Sequence, residues 1–349
     1  MDEEQDITAP IEADELEAGW AVKSAAKPQC YAYIVYGAKT DLGRVRENNE
    51  DKFDFMEPDE PAVLATKGRT YAVADGMGGH SAGQVASELS LNVFIRSYYS
   101  DSSPQVERCL QKAVREANAY VVDVARTIPG RSGMGATLTA AIVRDDDLFI
   151  AQVGDSRCYL LRGGEFQQVT EDHSWVAEQV RSGTMTLEEA ESSPFRNVIT
   201  RSMGGAPEVE ADISAVKMLA GDRFLLCSDG LSGMVPHAEM GELLAQGSPS
   251  VAAWNLIDRA NQYGGKDNVT AFVLHVADIQ PWPSEEDPAL EAAPESLNGH
   301  AEGALNPGEH IPAPDPVPAP AAPASSGDVA PASTAKPGLI GRLFRRAGS

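Results

Sequence analysis

Cysteine is scarce in this 349-residue chain, and its four copies (Cys30, Cys109, Cys158 and Cys227) stand far apart with no Cys-x-x-Cys pair. That spacing excludes a disulfide framework and a zinc knuckle, and fits buried thiols in a reducing compartment. Long apolar runs are missing as well, and nothing approaches the roughly 20 residues that a membrane-spanning helix needs. The first residues, Met1-Asp-Glu-Glu-Gln-Asp6, lack the basic start and apolar stretch of a secretory signal. Positive charge is in short supply: 28 Lys and Arg face 52 Asp and Glu, for a net charge of −24. Phosphate backbones and anionic membranes are held by clustered cations, so the balance argues against nucleic-acid binding and general membrane adsorption. A soluble, cytoplasmic, acidic protein is expected. Its 42% hydrophobic content is enough for a sizeable core.

The charge is unevenly placed. Residues 1–28 carry eight acids and two lysines with little periodic hydrophobicity, and read as a disordered acidic extension. Residues 281–337 carry nine acids, one lysine and 13 of the 23 prolines, and read as a disordered linker. The last stretch, 338–349, is basic through Arg342, Arg345 and Arg346. Between the tails, residues 29–280 form one domain that holds −13 of the net charge.

Inside that domain, helical and strand signals alternate. Ser81-Ala-Gly-Gln84 has capping-box spacing, with Val85, Ala86, Leu89, Val93 and Phe94 following on one helical face. Ser103-Pro104 opens a second helix striped by Val106, Leu110, Ala113, Ala117, Val121 and Val124. Buried strands are expected at 71–74, 138–143, 148–153, 224–227 and 269–276. Short turns join several of them, so the sheets are antiparallel and the class is α+β or layered α/β.

Three of these strands run into an aspartate: Asp75-Gly76, Asp155-Ser156-Arg157 and Asp229-Gly230. A fourth strand follows Asp267-Asn268. One such aspartate is ordinarily a turn-former or cap. Four on the strands of one domain need a common compensator, because burying a carboxylate costs several kcal/mol. Hard divalent cations with oxygen ligands supply it. Residues 40–51 add Glu50 and Asp51, with Arg46 five residues ahead of Asp51. A guanidinium matches phosphate oxygens bidentately, so carboxylates with a nearby arginine suggest phosphoryl chemistry. No His-Glu-x-x-His and no Cys/His ligand set is present, which disfavours catalytic zinc. Gly130-Arg-Ser-Gly-Met-Gly135-Ala136-Thr137 nearly fits a nucleotide phosphate loop but has Ala136 where the lysine belongs.

Taken in order, these motifs resemble the metal-dependent Ser/Thr protein phosphatases of the 2C type, the PPM family, in their bacterial form. The matches are Thr40-Asp-x-Gly43 with Arg46 and Asn49-Glu50-Asp51, then Val73-Ala-Asp75-Gly76-Met-Gly-Gly-His80-x-Ala-Gly83. Gly133-x-Gly135-Ala-Thr137, Val153-Gly-Asp155-Ser-Arg157 and Thr170-Glu-Asp-His-Ser174 follow. Gly221-Asp222 with Leu226-Cys-Ser-Asp229-Gly230, and Gly265-Lys-Asp267-Asn268-Val-Thr270, complete the series. Each motif alone is weak; seven in family order across residues 36–277 are specific.

The resemblance implies a four-layer αββα sandwich of two antiparallel sheets flanked by helices, with two Mn²⁺ or Mg²⁺ ions in a cleft at one edge. Asp75 would bridge them, and the Gly76 carbonyl would ligate one. Asp229 and Asp267 would hold one ion, and Glu50 and Asp51 the other or its waters. Asp155 would join Asp229 on a third, weaker ion. A metal-bridging hydroxide would attack phosphoserine or phosphothreonine directly while Arg46 spreads the phosphoryl charge. For the leaving oxygen, the proton would come from His80 or from a metal-bound water. Met77 stands where eukaryotic members carry their histidine. Asn268 would orient Asp267 or a metal water, and residues 174–196 would form a mobile flap. The expected partners are phosphorylated proteins and a Ser/Thr kinase of the same cell. Two other readings remain open at this point: a catalytically silent binding module of the same fold, and a small phosphomonoester hydrolase. At the C-terminal tip, Leu339, Ile340, Leu343 and Phe344 share one helical face with arginines around it, as in a tether for a partner groove or anionic membrane.

Overall fold

The structure, a computed structural model, describes residues 26–79 and 81–283. His80, residues 1–25 of the acidic extension, the linker beyond residue 283 and segment 338–349 lie outside the described residues. Five strands, β1 (Cys30–Asp41), β8 (Arg157–Arg162), β9 (Glu165–Gln168), β11 (Arg223–Cys227) and β12 (Val269–Pro281), form one antiparallel sheet in the order β1-β12-β11-β8-β9. A second antiparallel sheet runs β10-β7-β6-β3-β2. Its strands are β2 (Lys52–Met56), β3 (Arg69–Ala74), β6 (Leu138–Arg144), β7 (Asp147–Val153) and β10 (Asp212–Lys217). The short pair β4 (Gly76–Met77) and β5 (Gly135–Ala136) hangs from its edge.

The central strands are largely apolar because both of their faces are covered, whereas the edge strands β2, β9 and β10 are partly exposed and carry polar residues. Alternation sends Tyr71 and Val73 of β3, Ala141 and Val143 of β6, and Leu148 and Ile150 of β7 between the sheets. There they meet Phe224, Leu226, Phe272 and Leu274 from the facing sheet. The opposite set, Ala72, Ala74, Leu138, Ala140, Ile142, Phe149 and Ala151, packs on helices α2 (Ser81–Ser100) and α3 (Val106–Thr127). On the other outer face, Leu225, Cys227, Val269, Ala271 and Val273 pack under α7 (His237–Leu244) and α8 (Pro249–Gln262). Three apolar layers therefore separate four structural layers. Each large aliphatic or aromatic side chain moved out of water there stabilises the fold by about 1.5–3 kcal/mol. Short helices α1 (Pro61–Thr66), α4 (Trp175–Arg181), α5 (Leu187–Ser192) and α6 (Asp229–Ser232) fill the connections.

Two local expectations need correction. Helix α3 begins at Val106 with Gln105 at its cap, whereas Ser103 and Pro104 lie before it. There the Ser103 hydroxyl accepts from Gln105 N–H and Asp101 accepts from Ser103 N–H, so a side-chain turn precedes the helix. Ser81 is already inside α2, and its hydroxyl accepts from Arg131 Nη1 (2.8 Å) rather than capping the helix. The buried face of α2 runs through Ala82, Gly83, Ala86, Ser87, Ser90, Leu91 and Phe94, while Val85, Leu89 and Val93 pack at its margin.

Strands β1 and β12 pair along their whole length, and beyond them Trp282 N–H donates to Gln29 O at 3.0 Å. No helix among the described residues is long and apolar enough to cross a membrane.

Helix α8 seats its first turn directly on β1. A Cβ at Gly37 would overlap the Ser250 backbone. Gly37→Ala is therefore expected to cost about 1–3 kcal/mol by overpacking and to lower Tm by roughly 2–4 °C for each kcal/mol. Calorimetry on the purified variant checks this, and an unchanged Tm would mean that α8 does not bear on β1.

Candidate metal centre

Antiparallel pairing decides where the acidic residues go. Lys52 pairs with Ala74, so Asp51 at the start of β2 lies beside Asp75 at the end of β3. Cys227 pairs with Ala271, which brings Asp229 after β11 to the same edge as Asp267 before β12. Asp75 N–H donates to Thr137 Oγ1 and Thr137 N–H to Asp75 O, both at 2.8 Å. The Thr137 hydroxyl also meets Ser156 Oγ at 2.7 Å, tying the Asp75 turn to the turn that carries Asp155.

Each carboxylate is held by its own backbone neighbourhood. Asp51 is almost fully buried; its Oδ2 accepts from Ser228 Oγ (2.6 Å) and Thr270 Oγ1 (2.8 Å). Glu50 N–H donates to Asn268 Oδ1 at 2.8 Å, and Asn268 Nδ2 donates to the carbonyls of Leu42 and Asn48. Asn268 thus clamps the 42–50 loop with its side chain, and meets Asp267 only through its own backbone N–H (2.9 Å). Of the expected role, orienting Asp267 or a metal water, the structure gives Asp267 the backbone N–H and the Glu50 loop the side chain. The Glu50 carboxylate lies against Gly83, where a Cβ would overlap Oε2, so α2 must offer a glycine at that turn.

Electrostatically, the cluster is frustrated. Burial raises the Asp75 carboxyl well above its ordinary range, and the charges of Asp51, Asp229, Asp155 and Asp267 raise it further. Burial pushes Asp51 up to about 7 despite the two hydroxyl donors. Asp155 is pushed up to about 7 by burial and by Asp229 and Asp172. Asp229 is raised by burial and by Asp267, and shares a hydrogen bond with Asp75. Two buried oxygens, Asp51 Oδ1 and Asp155 Oδ1, have no hydrogen-bond partner. Unpaired buried carboxylate oxygens are expensive, and a hard divalent cation satisfies them. The donors are oxygens, the set that suits Mn²⁺ or Mg²⁺.

The carboxylates converge without closing into a cage. Among the described residues no group of three or more His, Cys, Asp or Glu side chains stands ready to hold an ion. Protein partners divert them instead: Ser228 and Thr270 take Asp51, and Arg46 Nη2 pairs with Asp267 Oδ2 at 2.7 Å. Arg46 remains half-exposed at the rim, and the same partner raises its own pKa.

Several supporting residues carried a weaker signal in the sequence. Ser228, Thr270 and Thr137 sit inside the quoted motifs but read there as ordinary strand hydroxyls. Arg157 forks onto Asp172 with bonds of 2.7–3.0 Å, behind the Asp155 turn. His173 is buried, as a structural histidine should be. Gly154 N–H donates to its Nδ1 (3.0 Å), which leaves the ring proton on Nε2 to donate to Asp212 Oδ2 (3.0 Å). Gly79-His80-Ser81-Ala82-Gly83 also has the spacing of a serine-hydrolase elbow. However, Ser81 takes its hydrogen bond from Arg131, which offers no general base.

Residues 174–196, the segment expected to form a flap, are flanked by two anchors beside this cluster. At one end, His173 N–H donates to Gly154 O (2.9 Å), next to Asp155. At the other, Met203 and Ala136 exchange backbone bonds of 2.8 and 3.0 Å, and Ala136 pairs with Gly76.

With an acid cluster at strand ends, an arginine at its rim and a four-layer sandwich beneath, the comparisons with known proteins are decisive. The family model described as Protein phosphatase 2C matches residues 44–268. This chain belongs to the protein phosphatase 2C family. Serine/threonine phosphatase stp of Listeria monocytogenes is 40% identical over 243 residues, which cover 68% of this chain and 93% of that protein. Serine/threonine protein phosphatase PstP of Mycobacterium tuberculosis is also 40% identical over 243 residues, covering 70% of this chain and 45% of that protein. The crystal structure of that PstP/Ppp is similar with a TM-score of 0.62 and 39% identity, over 70% of this chain and 98% of that one. The catalytic domain of PstP in complex with two manganese ions gives a TM-score of 0.61 and 38% identity, over 70% and 99%. The 2C-type sandwich of two antiparallel sheets and flanking helices is thus shared with solved relatives.

In this 2C-type cluster the pH dependence has a definite sign. A carboxyl raised from 3.8 to about 7, as Asp51 is, supports folding fully below pH 3.8 and loses that support as pH rises through 7. In chelator, Asp51→Asn keeps both hydroxyl bonds and is expected to gain stability relative to the natural chain as pH climbs from 4 to 8. Parallel Tm curves for the two proteins across that range would contradict the assignment.

Proposed function

We propose that this chain, a protein serine/threonine phosphatase by family, is metal-dependent and removes phosphate from phosphoserine and phosphothreonine in proteins modified by a Ser/Thr kinase. The observation that carries the metal requirement is the pair of buried, partnerless oxygens on Asp51 and Asp155 within a cluster of five aspartates. We assign Asp75 to two cations and the Gly76 carbonyl to one of them, Asp229 and Asp267 to one, and Glu50 and Asp51 to the other or its waters. Asp155 joins Asp229 on a third, weaker ion. When bound, such cations make water nucleophilic near neutral pH and screen the phosphoryl oxygens.

The remaining roles belong to the chain's own groups. Arg46, long enough to swing from Asp267 and half-exposed, receives the phosphoryl oxygens in a planar fork. Ser228, Thr270, Thr137 and Asn268 fix the carboxylate-bearing turns, so no reorganisation is needed as charge develops. His80 is assigned the proton for the departing serine or threonine oxygen. Every family carboxylate is present, which disfavours a silent binding module.

Three variants test the reading on a phosphothreonine peptide and on p-nitrophenyl phosphate, with and without added Mn²⁺. Asp75→Ala is expected to abolish the Mn²⁺-dependent turnover of both, by at least about 10²-fold. Arg46→Ala should raise KM for both substrates. His80→Asn should slow the peptide by about 10² or more, the usual worth of a general acid, and spare the nitrophenyl ester, whose leaving group needs no proton. Hydrolysis indifferent to Mn²⁺ would sink the metal assignment, and turnover of the small ester alone would sink the protein substrate.

A further inference from the structure

Away from the acid cluster, one lysine is buried against a thiol. Lys67 caps the end of α1, just before β3, and is only 5% exposed. Among the described residues its ammonium donates to Ser103 O at 2.9 Å and to Cys109 Sγ at 3.0 Å, and it pairs with no carboxylate. The Tyr98 ring lies 5.3 Å from Nζ and is anchored by its own hydroxyl, which donates to Lys67 O at 2.8 Å. Cys109, in the first turn of α3, is 1% exposed. Its S–H donates to the same Ser103 carbonyl at 3.3 Å, which leaves the sulfur free to accept from Lys67.

Of the four free cysteines, only Cys109 is met by an amine among the described residues. Burying an ammonium is costly, and a carbonyl and a thiol are weak compensation beside a carboxylate. What the arrangement does provide is a nitrogen held on sulfur at reacting distance, about 3–3.5 Å in a near-attack geometry. Oxidised cysteine sulfur is known to condense with a neighbouring nitrogen.

We propose that Lys67 and Cys109 form a modification site, joined in the presence of dioxygen by a nitrogen–oxygen–sulfur bridge. Lys67–NH₃⁺, Cys109–SH and O₂ become Lys67–NH–O–S–Cys109 and H₃O⁺. The O–O bond, the S–H bond and two N–H bonds break, while one N–O and one O–S bond form. Nitrogen and sulfur each lose two electrons, and those four reduce both oxygen atoms. One oxygen stays in the bridge, and the other leaves as water carrying the ammonium's proton. Two molecules of a dithiol return the electrons, restoring amine and thiol and releasing the bridging oxygen as water. Dioxygen is small and uncharged, and it needs to pass only the layer formed by Ser103 and the exposed Pro104.

The bridge joins residues 42 positions apart, and the loop it closes contains β3, the Asp75 turn and all of α2. Lys67 stands at the opposite end of β3 from Asp75, so the effect falls on stability and is independent of the function proposed above. By restricting the unfolded chain, the bridge is expected to raise Tm by about 5–10 °C.

Mass spectrometry of the full chain tests this, with samples held in air, held without oxygen, or treated with dithiothreitol. In air the intact mass is expected to gain one oxygen and lose two hydrogens, and digestion should yield the Lys67 and Cys109 peptides as one linked ion. Dithiothreitol, Lys67→Arg and Cys109→Ser should each abolish that ion, and dithiothreitol should lower Tm in the natural chain but not in either variant. If a variant does not fold, the peptide map of the natural chain decides alone. An unchanged mass after prolonged exposure to air overturns the proposal. Oxygen added to Cys109 without a link to Lys67 overturns it too, as does a disulfide between two chains.

Discussion

Repulsion among carboxylates crowded at the ends of strands is the constraint to which the rest of this molecule answers. Asp75, itself partly buried, feels Asp51, Asp229, Asp155 and Asp267 at once, and of these Asp51 and Asp155 are buried. The fold meets that repulsion with local devices: hydroxyls from Ser228 and Thr270 on Asp51, a guanidinium on Asp267, and a hydrogen bond between Asp75 and Asp229. None of these satisfies Asp51 Oδ1 or Asp155 Oδ1. Spare, buried anionic oxygens call for a cation, and that is the physical ground for the metal dependence we propose.

The cluster is also shared between the sheets. Asp51, Asp75 and Asp155 leave the strands of one sheet, and Asp229 and Asp267 those of the other. Layers packed through Tyr71, Phe224 and Phe272 keep the two rows of turns facing each other. Precision at the site is therefore a property of the core. Residues 174–196, by contrast, bury Val176 and Ala190 but leave Leu187 and Phe195 exposed.

Much of this was readable in the sequence. The runs at 71–74, 138–143, 148–153, 224–227 and 269–276 fall within strands, because an apolar run bounded by turn residues admits few other fates in a domain this size. The aspartates were conspicuous because each breaks such a run at its mouth. What stayed hidden depends on tertiary neighbours. Ser228 and Thr270 are unremarkable until the register of β11 and β12 brings both hydroxyls onto Asp51. Asn268 sits beside Asp267 and meets it through the backbone N–H, but its side chain reaches across more than 200 residues to the Glu50 loop, which no local pattern announces. The start of α3 was misjudged because Ser103-Pro104 satisfies local capping rules that a side-chain turn satisfies equally well.

The lengthwise pairing of β1 with β12 has an architectural corollary. First and last strands lie side by side, and the Trp282–Gln29 bond closes them like a clasp, so entry to and exit from the domain share one corner. A chain whose ends meet can be spliced into a host loop, or reopened elsewhere with its old ends joined by a short bridge, without parting the sandwich. Nature and the engineer are equally free to hang this catalyst as a pendant, with whatever precedes it and whatever follows it leaving from the same point.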